Sequence, residues 1–173
     1  MRWFPVAAAL LLAYAFPAYA QLDEDVSDAQ LVQRYCVGMP IKQRQLPDGT
    51  EADCISDTHA IEVEKAKFSW DSIGQSLNYS LWTREISENP AAFKPWSEEI
   101  DKPRKAGIIL VCTRPRDPSN PNDFCTLWYT RLFRIIEENH LAITIWDCNY
   151  PADAALGDCL MIDMPPAVVE KAN

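Results

Sequence analysis

Histidine is scarce in this sequence, with two residues, and no C-x-x-C pair occurs among its six cysteines. Those absences argue against a zinc centre, whose thiolate and imidazole ligands sit at short, regular spacings. Net positive charge is missing too. The formal charge is −9, which favours solubility and opposes loose electrostatic binding to nucleic acid. After the first twenty residues no run is long and apolar enough to span a bilayer as a helix. No internal repeat or low-complexity block appears.

The first twenty residues are themselves set apart. Arg2, the apolar run from Val6 to Phe16 and the small residues of Ala18-Tyr19-Ala20 have the order of a secretory signal peptide cleaved before Gln21. Residues 21–146 then read as one domain and 147–173 as a cysteine-looped tail. Export implies a secreted or periplasmic protein in which disulfides persist. Pairing sequence neighbours gives Cys36–Cys54, Cys112–Cys125 and Cys148–Cys159, each closing a loop that contributes about 3 kcal/mol.

The periodicities predict a helix over 23–37, stopped by Gly38 and Pro40, then a strand over 41–46 and a turn at Pro47-Asp48-Gly49. A second helix, 69–86, has Ser69 as its cap and Gly74 as a point of close approach. Its two apolar stripes are Trp70, Ile73, Leu77 and Leu81, and Gln75, Tyr79, Trp82 and Ile86. Residues 85–106 carry three prolines and exposed-looking Phe93 and Trp96, the composition of a lid or binding loop. Gly107–Thr113 is a continuous apolar run, a strand covered on both faces. A third helix over 124–139 has the stripe Phe124, Leu127, Trp128, Leu132 and Ile135, and a last strand covers 141–146. Lys102, Arg104 and Lys105, and again Arg114 and Arg116, read as solvated loops. The order α, three β, α, β, α, β defines an α/β domain with a mixed sheet flanked by helices.

Between the first two helices lies the chemically informative stretch, Glu51 to Lys65. Two alternating segments flank Asp57-Thr58, the pattern of a β-hairpin. A symmetric turn sets Ile55 opposite Ala60, Cys54 opposite Ile61, Asp53 opposite Glu62 and Glu51 opposite Glu64. Glu51, Asp53, Glu62 and Glu64 then share one face, while His59 falls on the other with Ile61 and Val63. Like charges so paired repel, so the face is either solvated, or shifted in pKa, or neutralised by a cation such as a structural Ca²⁺.

The α-βββ-α-β order, with an acid on the second strand and spaced acids on the third, resembles the PD-(D/E)XK (restriction-endonuclease-like) nuclease superfamily. Leu46 to Glu64, Ile73-Gly-Gln-Ser-Leu-Asn-Tyr79 and Gly107-Ile-Ile-Leu-Val are similar to small members of it, and Gln75-x-x-x-Tyr79 is similar to the RecB-type helix motif. The resemblance covers roughly residues 34–146 and leaves out the insertion at 85–106. It implies a nucleic acid substrate and Mg²⁺ or Mn²⁺ held by Asp53 and Glu62, with Gln75 contacting the site. Glu64 stands where the usual pattern has lysine, so the resemblance implies either Glu64 as the base or Lys65 or Lys67 reaching in. Glu24, Asp25 and Asp28 are the candidates for the first-helix acid. The departure at Glu64 leaves open a catalytically inactive protein with this fold, acting as an exported binding module through residues 85–106.

Overall fold

A computed structural model describes residues 26–117, 119–120 and 122–164. The signal-peptide segment, Glu24, Asp25 and the last nine residues of the tail lie outside them. Six strands form one sheet: β1 (Ile41–Gln45), β2 (Glu51–Ile55), β3 (His59–Lys65), β4 (Lys105–Cys112), β5 (Ile143–Asn149) and β6 (Leu160–Met164). They lie side by side in chain order. β1–β2, β2–β3 and β5–β6 are antiparallel, whereas β3–β4 and β4–β5 are parallel. The parallel pairs require crossovers, which α2 (Ser69–Glu88) and α3 (Phe124–Glu138) supply. The sheet is therefore mixed, as the element order predicts. The sixth strand is a correction: it comes from the tail, where no hydrophobic alternation marks it, and it pairs with β5 through backbone hydrogen bonds.

Helix α1 (Asp28–Tyr35) covers one face of the sheet, burying Leu31, Val32 and Tyr35 against Cys54, Val63, Val111 and Trp146. It starts later than the acids suggested. Ser27 stops it with a capping box, accepting the Gln30 N–H while the Gln30 side chain accepts the Ser27 N–H. On the other face α3 packs on Ile108, Leu110 and Ile145. α2 covers the antiparallel end, around Ile55 and Ala60. β4 is buried along its length from Ala106, which its apolar run foretold. No helix of the described residues is long and apolar enough to cross a membrane.

Neither stripe expected of α2 faces the sheet squarely. Its buried residues are Ser69, Ser72, Ser76, Tyr79, Thr83 and Ile86, while Trp70 and Leu81 are exposed. Small hydroxyl residues spaced three and four apart let the helix lie close to the strands. Their polarity is absorbed locally, since Ser72, Ser76 and Thr83 donate to carbonyls one turn back, at Ser69, Ile73 and Ser80. Ser69 is the first helical residue and not the cap, and its Oγ is buried without a partner. In α3 the buried stripe is Cys125, Tyr129, Leu132 and Ile136, which shares Leu132 with the expected one and leaves Leu127 exposed.

Residues 89–104 are not a free lid. Ile100 is fully buried, and Phe93 and Trp96 are half-buried on the core cluster around Tyr79. The Trp96 indole donates to the Gln45 carbonyl at 2.8 Å. Arg104 is buried rather than solvated, donating to the carbonyls of Ser56 and Lys102 and to Asp101. Arg116 likewise leaves the solvent, pairing with Asp147, which also accepts from the buried Tyr129 hydroxyl. Bidentate pairing with a half-buried carboxylate is the ordinary way a guanidinium is accommodated in a protein.

All three disulfides join the expected partners: Cys36–Cys54, Cys112–Cys125 and Cys148–Cys159. The close approach expected of Gly74 belongs instead to Gly107. A Cβ on Gly107 would lie 2.8 Å from the Trp146 ring and 3.2 Å from Ile61, whereas one on Gly74 would meet nothing within 4 Å. The two glycines should therefore respond oppositely to alanine. Gly74→Ala is expected to raise the unfolding free energy by about 1 kcal/mol through helix propensity. Gly107→Ala is expected to lower it by about 1–3 kcal/mol through overpacking. Urea unfolding of both variants checks the pair.

Candidate functional site

The hairpin between β2 and β3 closes as the sequence predicts. Ser56 N–H donates to the His59 carbonyl at 2.8 Å, with Cys54 opposite Ile61 and Ile55 opposite Ala60. Past those two pairs the ladder opens. Ile61, Val63 and Lys65 present their N–H groups along the same edge of β3, yet the donors after Ile61 find carboxylates. Asp53 Oδ2 accepts the Val63 N–H at 2.8 Å, and Glu64 Oε1 accepts the Lys65 N–H at 2.8 Å. On the other side of Asp53, Gln43 has φ +48° and interrupts the β1–β2 ladder between Lys42↔Cys54 and Arg44↔Ala52. Asp53 thus sits at a gap in the β1–β2 ladder, whose register is the same on either side, and just past the last β2–β3 pair, which frees its carboxylate to replace a strand partner.

Glu62 lies beside it on the α2 face, 7% exposed. Its Oε2 is buried and has no hydrogen-bond partner. Burial, then the adjacent Asp53 charge, push the Glu62 carboxyl well above its ordinary range, against the stabilising hydroxyl of Tyr79 from α2. Asp53 is raised as well, by burial first and then by Glu51 and Asp28, with the Val63 N–H opposing. Two carboxyls this close cannot both ionise cheaply, so they titrate as a pair sharing a proton. Glu64 is pushed up to about 7, chiefly by burial, with Asp28 and Asp53 adding and the Lys65 N–H opposing. Tyr79 is held protonated, by burial and by the Glu62 charge.

Of the three first-helix candidates, Glu24 and Asp25 lie outside the described residues, and Asp28 stands in the opening turn of α1 behind the Ser27 cap. It binds Lys65, Oδ1 to Nζ 3.4 Å, on the side of β3 away from Glu62 and Glu64. Of the four predicted acids, Asp53, Glu62 and Glu64 are near enough for their charges to act on one another. Glu51 is exposed and opposite Gln45 of β1 instead of Glu64, reaching the cluster only through its charge on Asp53. Gln75 is exposed on α2, and the side chain of that helix that meets the acids is Tyr79, one turn further on. His59 stays apart, as alternation predicts. It joins Thr58 and Thr144 by hydrogen bonds and lies edge-on to Trp146.

What sequence reasoning missed is the opening of the ladder. Gln43 carries no glycine or asparagine signal for its positive φ, and nothing local announces that Asp53 will serve as a backbone acceptor. Among the described residues, no group of three His, Cys, Asp or Glu side chains is placed to hold one metal ion. Comparisons with protein-family models, with curated proteins and with solved structures give no match.

Proposed function

We propose that the Asp53–Glu62–Glu64 cluster is the active site of an exported, metal-dependent nuclease of restriction-endonuclease-like fold. The observation that carries this reading is the buried, unpartnered Oε2 of Glu62 between two further acids. A buried ionised carboxylate oxygen without a donor is costly, and once the pair has lost its shared proton a cation removes that cost. Hard oxygen ligands few in number suit Mg²⁺ or Mn²⁺, which keep several waters, and Asp53 and Glu62 are the residues that would hold one. A bound divalent ion would supply charge neutralisation and acidify coordinated water.

The remaining steps fall to the chain's own groups. Glu64, titrating at about 7, is matched to accepting a proton from the attacking water near neutral pH. Tyr79 orients Glu62, and the Val63 N–H fixes Asp53. Lys65 is occupied by Asp28, which supports Glu64 over that lysine as base. The three disulfides support a location outside the reducing cytoplasm, secreted or periplasmic.

A second reading, a nuclease-fold binding module without catalysis, draws support from the lack of a three-ligand group among the described residues. Its expected surface at Phe93 and Trp96 is packed against the core. One assay separates the readings. The oxidised chain should cleave DNA or RNA oligonucleotides with Mg²⁺ or Mn²⁺ present and stop with EDTA. Glu64→Gln should lower the rate by about a thousandfold, and Asp53→Asn by at least as much, with unchanged circular dichroism. Absence of metal-dependent cleavage of every oligonucleotide, single- or double-stranded, would sink the catalytic reading.

A further inference from the structure

Across α2 from the acid cluster lies a cavity of about 550 Å³, between α2, the segment after α3 and the starts of β4 and β5. That volume falls within the range of small-molecule sites, about 300–1,000 Å³. Leu77, Leu141 and Met164 give it apolar walls, and Arg84, Lys105 and His140 stand around it. In a chain of net charge −9, two cationic side chains, Arg84 and Lys105, against one acid about an apolar cavity are a local reversal of sign.

Among the described residues the only acid of the lining is Asp163, and it is already engaged. Thr144 donates to one carboxylate oxygen at 2.8 Å, and Lys105 Nζ lies 4.0 Å from the other. Arg104 contributes no free charge, because its guanidinium is spent on Ser56, Lys102 and Asp101. Arg84 is different: among the described residues its guanidinium has no carboxylate partner. The carbonyls at the end of α3 would oppose an anion, but the turn that follows consumes several of them. His140 adopts φ +53°, its N–H donates to the Glu137 carbonyl, and the Leu141 N–H donates to that of Ile136. This is how a Schellman-type end removes helix acceptors from a neighbouring site.

We propose that this cavity binds a small molecule with an apolar body and one anionic head, the body between Leu77, Leu141 and Met164 and the head at Arg84, with Lys105 and His140 beside it. The site is separate from the acid cluster, so the proposal does not depend on catalysis there. Decanoate is the probe, with decanol as the neutral molecule of equal chain length, each titrated calorimetrically into the full oxidised chain. Saturable decanoate binding, at least about tenfold tighter than decanol, is expected. Arg84→Glu should weaken it about tenfold or more, while Arg84→Lys keeps most of the affinity. Ala142→Trp, which fills the cavity, should abolish it, and Glu62→Gln should leave it unchanged. Arg84 lies on the outer part of α2, so its variants should melt like the parent, and that comparison accompanies the titration. No saturable binding up to about 1 mM, equal affinity for decanol, or indifference to Arg84→Glu in a folded variant would each overturn the proposal.

Discussion

Raising the pH from about 5 to about 8 should destabilise the protein by on the order of 5 kcal/mol, and Glu62→Gln should remove about half of that loss. The native carboxyls of Asp53, Glu62 and Glu64 are raised, Glu64 to about 7, above the values they take in an unfolded chain. Between those two limits the native state holds more protons than the unfolded one. Unfolding free energy therefore falls as pH rises, and the favourable contribution is complete only below the unfolded carboxyl range, near pH 4. Carboxyls shifted the other way act elsewhere. Asp101, held low by its hydrogen bond from Arg104, contributes stability that is lost only as the pH falls through the acid range.

Glutamine at position 62 keeps the shape and the polar contact to Tyr79 but cannot ionise. It should match the parent at pH 5 and exceed it at pH 8 by about 2 kcal/mol. Magnesium or manganese added at pH 8 should restore the parent and leave the Gln variant nearly unaffected, since a ligand specific to the native state stabilises in proportion to its binding. Urea midpoints at the two pH values, with and without metal, give all four comparisons. A parent whose stability is flat from pH 5 to 8 would mean that these acids are solvated, and the argument from buried charge would fail with it.

The hairpin register was legible because it depends on a two-residue turn and on alternation, both local. Cys54 opposite Ile61, the double-sided burial of β4 and the three cysteine pairings follow from similarly local signals. The hydroxyl face of α2 was not legible. Ser72, Ser76 and Thr83 carry no hydrophobic signature, and only the closeness of helix to sheet makes them interior. The tail strand β6 was hidden for a related reason, because an edge strand made by backbone pairing can leave Leu160 and Met161 exposed. In the site, the nearness by which Asp53, Glu62 and Glu64 act on one another's charge was visible in the alternation. The loss of ladder pairing around Asp53 was not, since it arises from Gln43 and from competition between a carboxylate and a strand carbonyl for one N–H. Long-range polar partners such as Arg116 with Asp147 and Tyr129 left no trace in sequence spacing.

The second large effect expected is on removing Cys36–Cys54, by the pair Cys36→Ala and Cys54→Ala. This bridge spans 18 residues, and a loop of that size corresponds to about 3 kcal/mol of unfolded-chain entropy. Both cysteines are fully buried, so the lost sulfur packing adds to the cost. Position makes this bridge different from Cys148–Cys159, which fastens the loop after β5. Cys36 caps the end of α1, and Cys54 adjoins Asp53 on β2. Through α1 the bridge helps hold Asp28, whose charge raises Asp53 and Glu64. Loosening α1 should therefore bring the apparent pKa of Glu64 down toward the ordinary glutamate range, as well as lowering the urea midpoint. Carboxyl titration by nuclear magnetic resonance reads the first change and urea unfolding the second. The variant lacking Cys148–Cys159 should lose stability while leaving the Glu64 titration in place. If both variants move Glu64 alike, α1 is not what sets the potential at the acids, and burial alone accounts for their shifts.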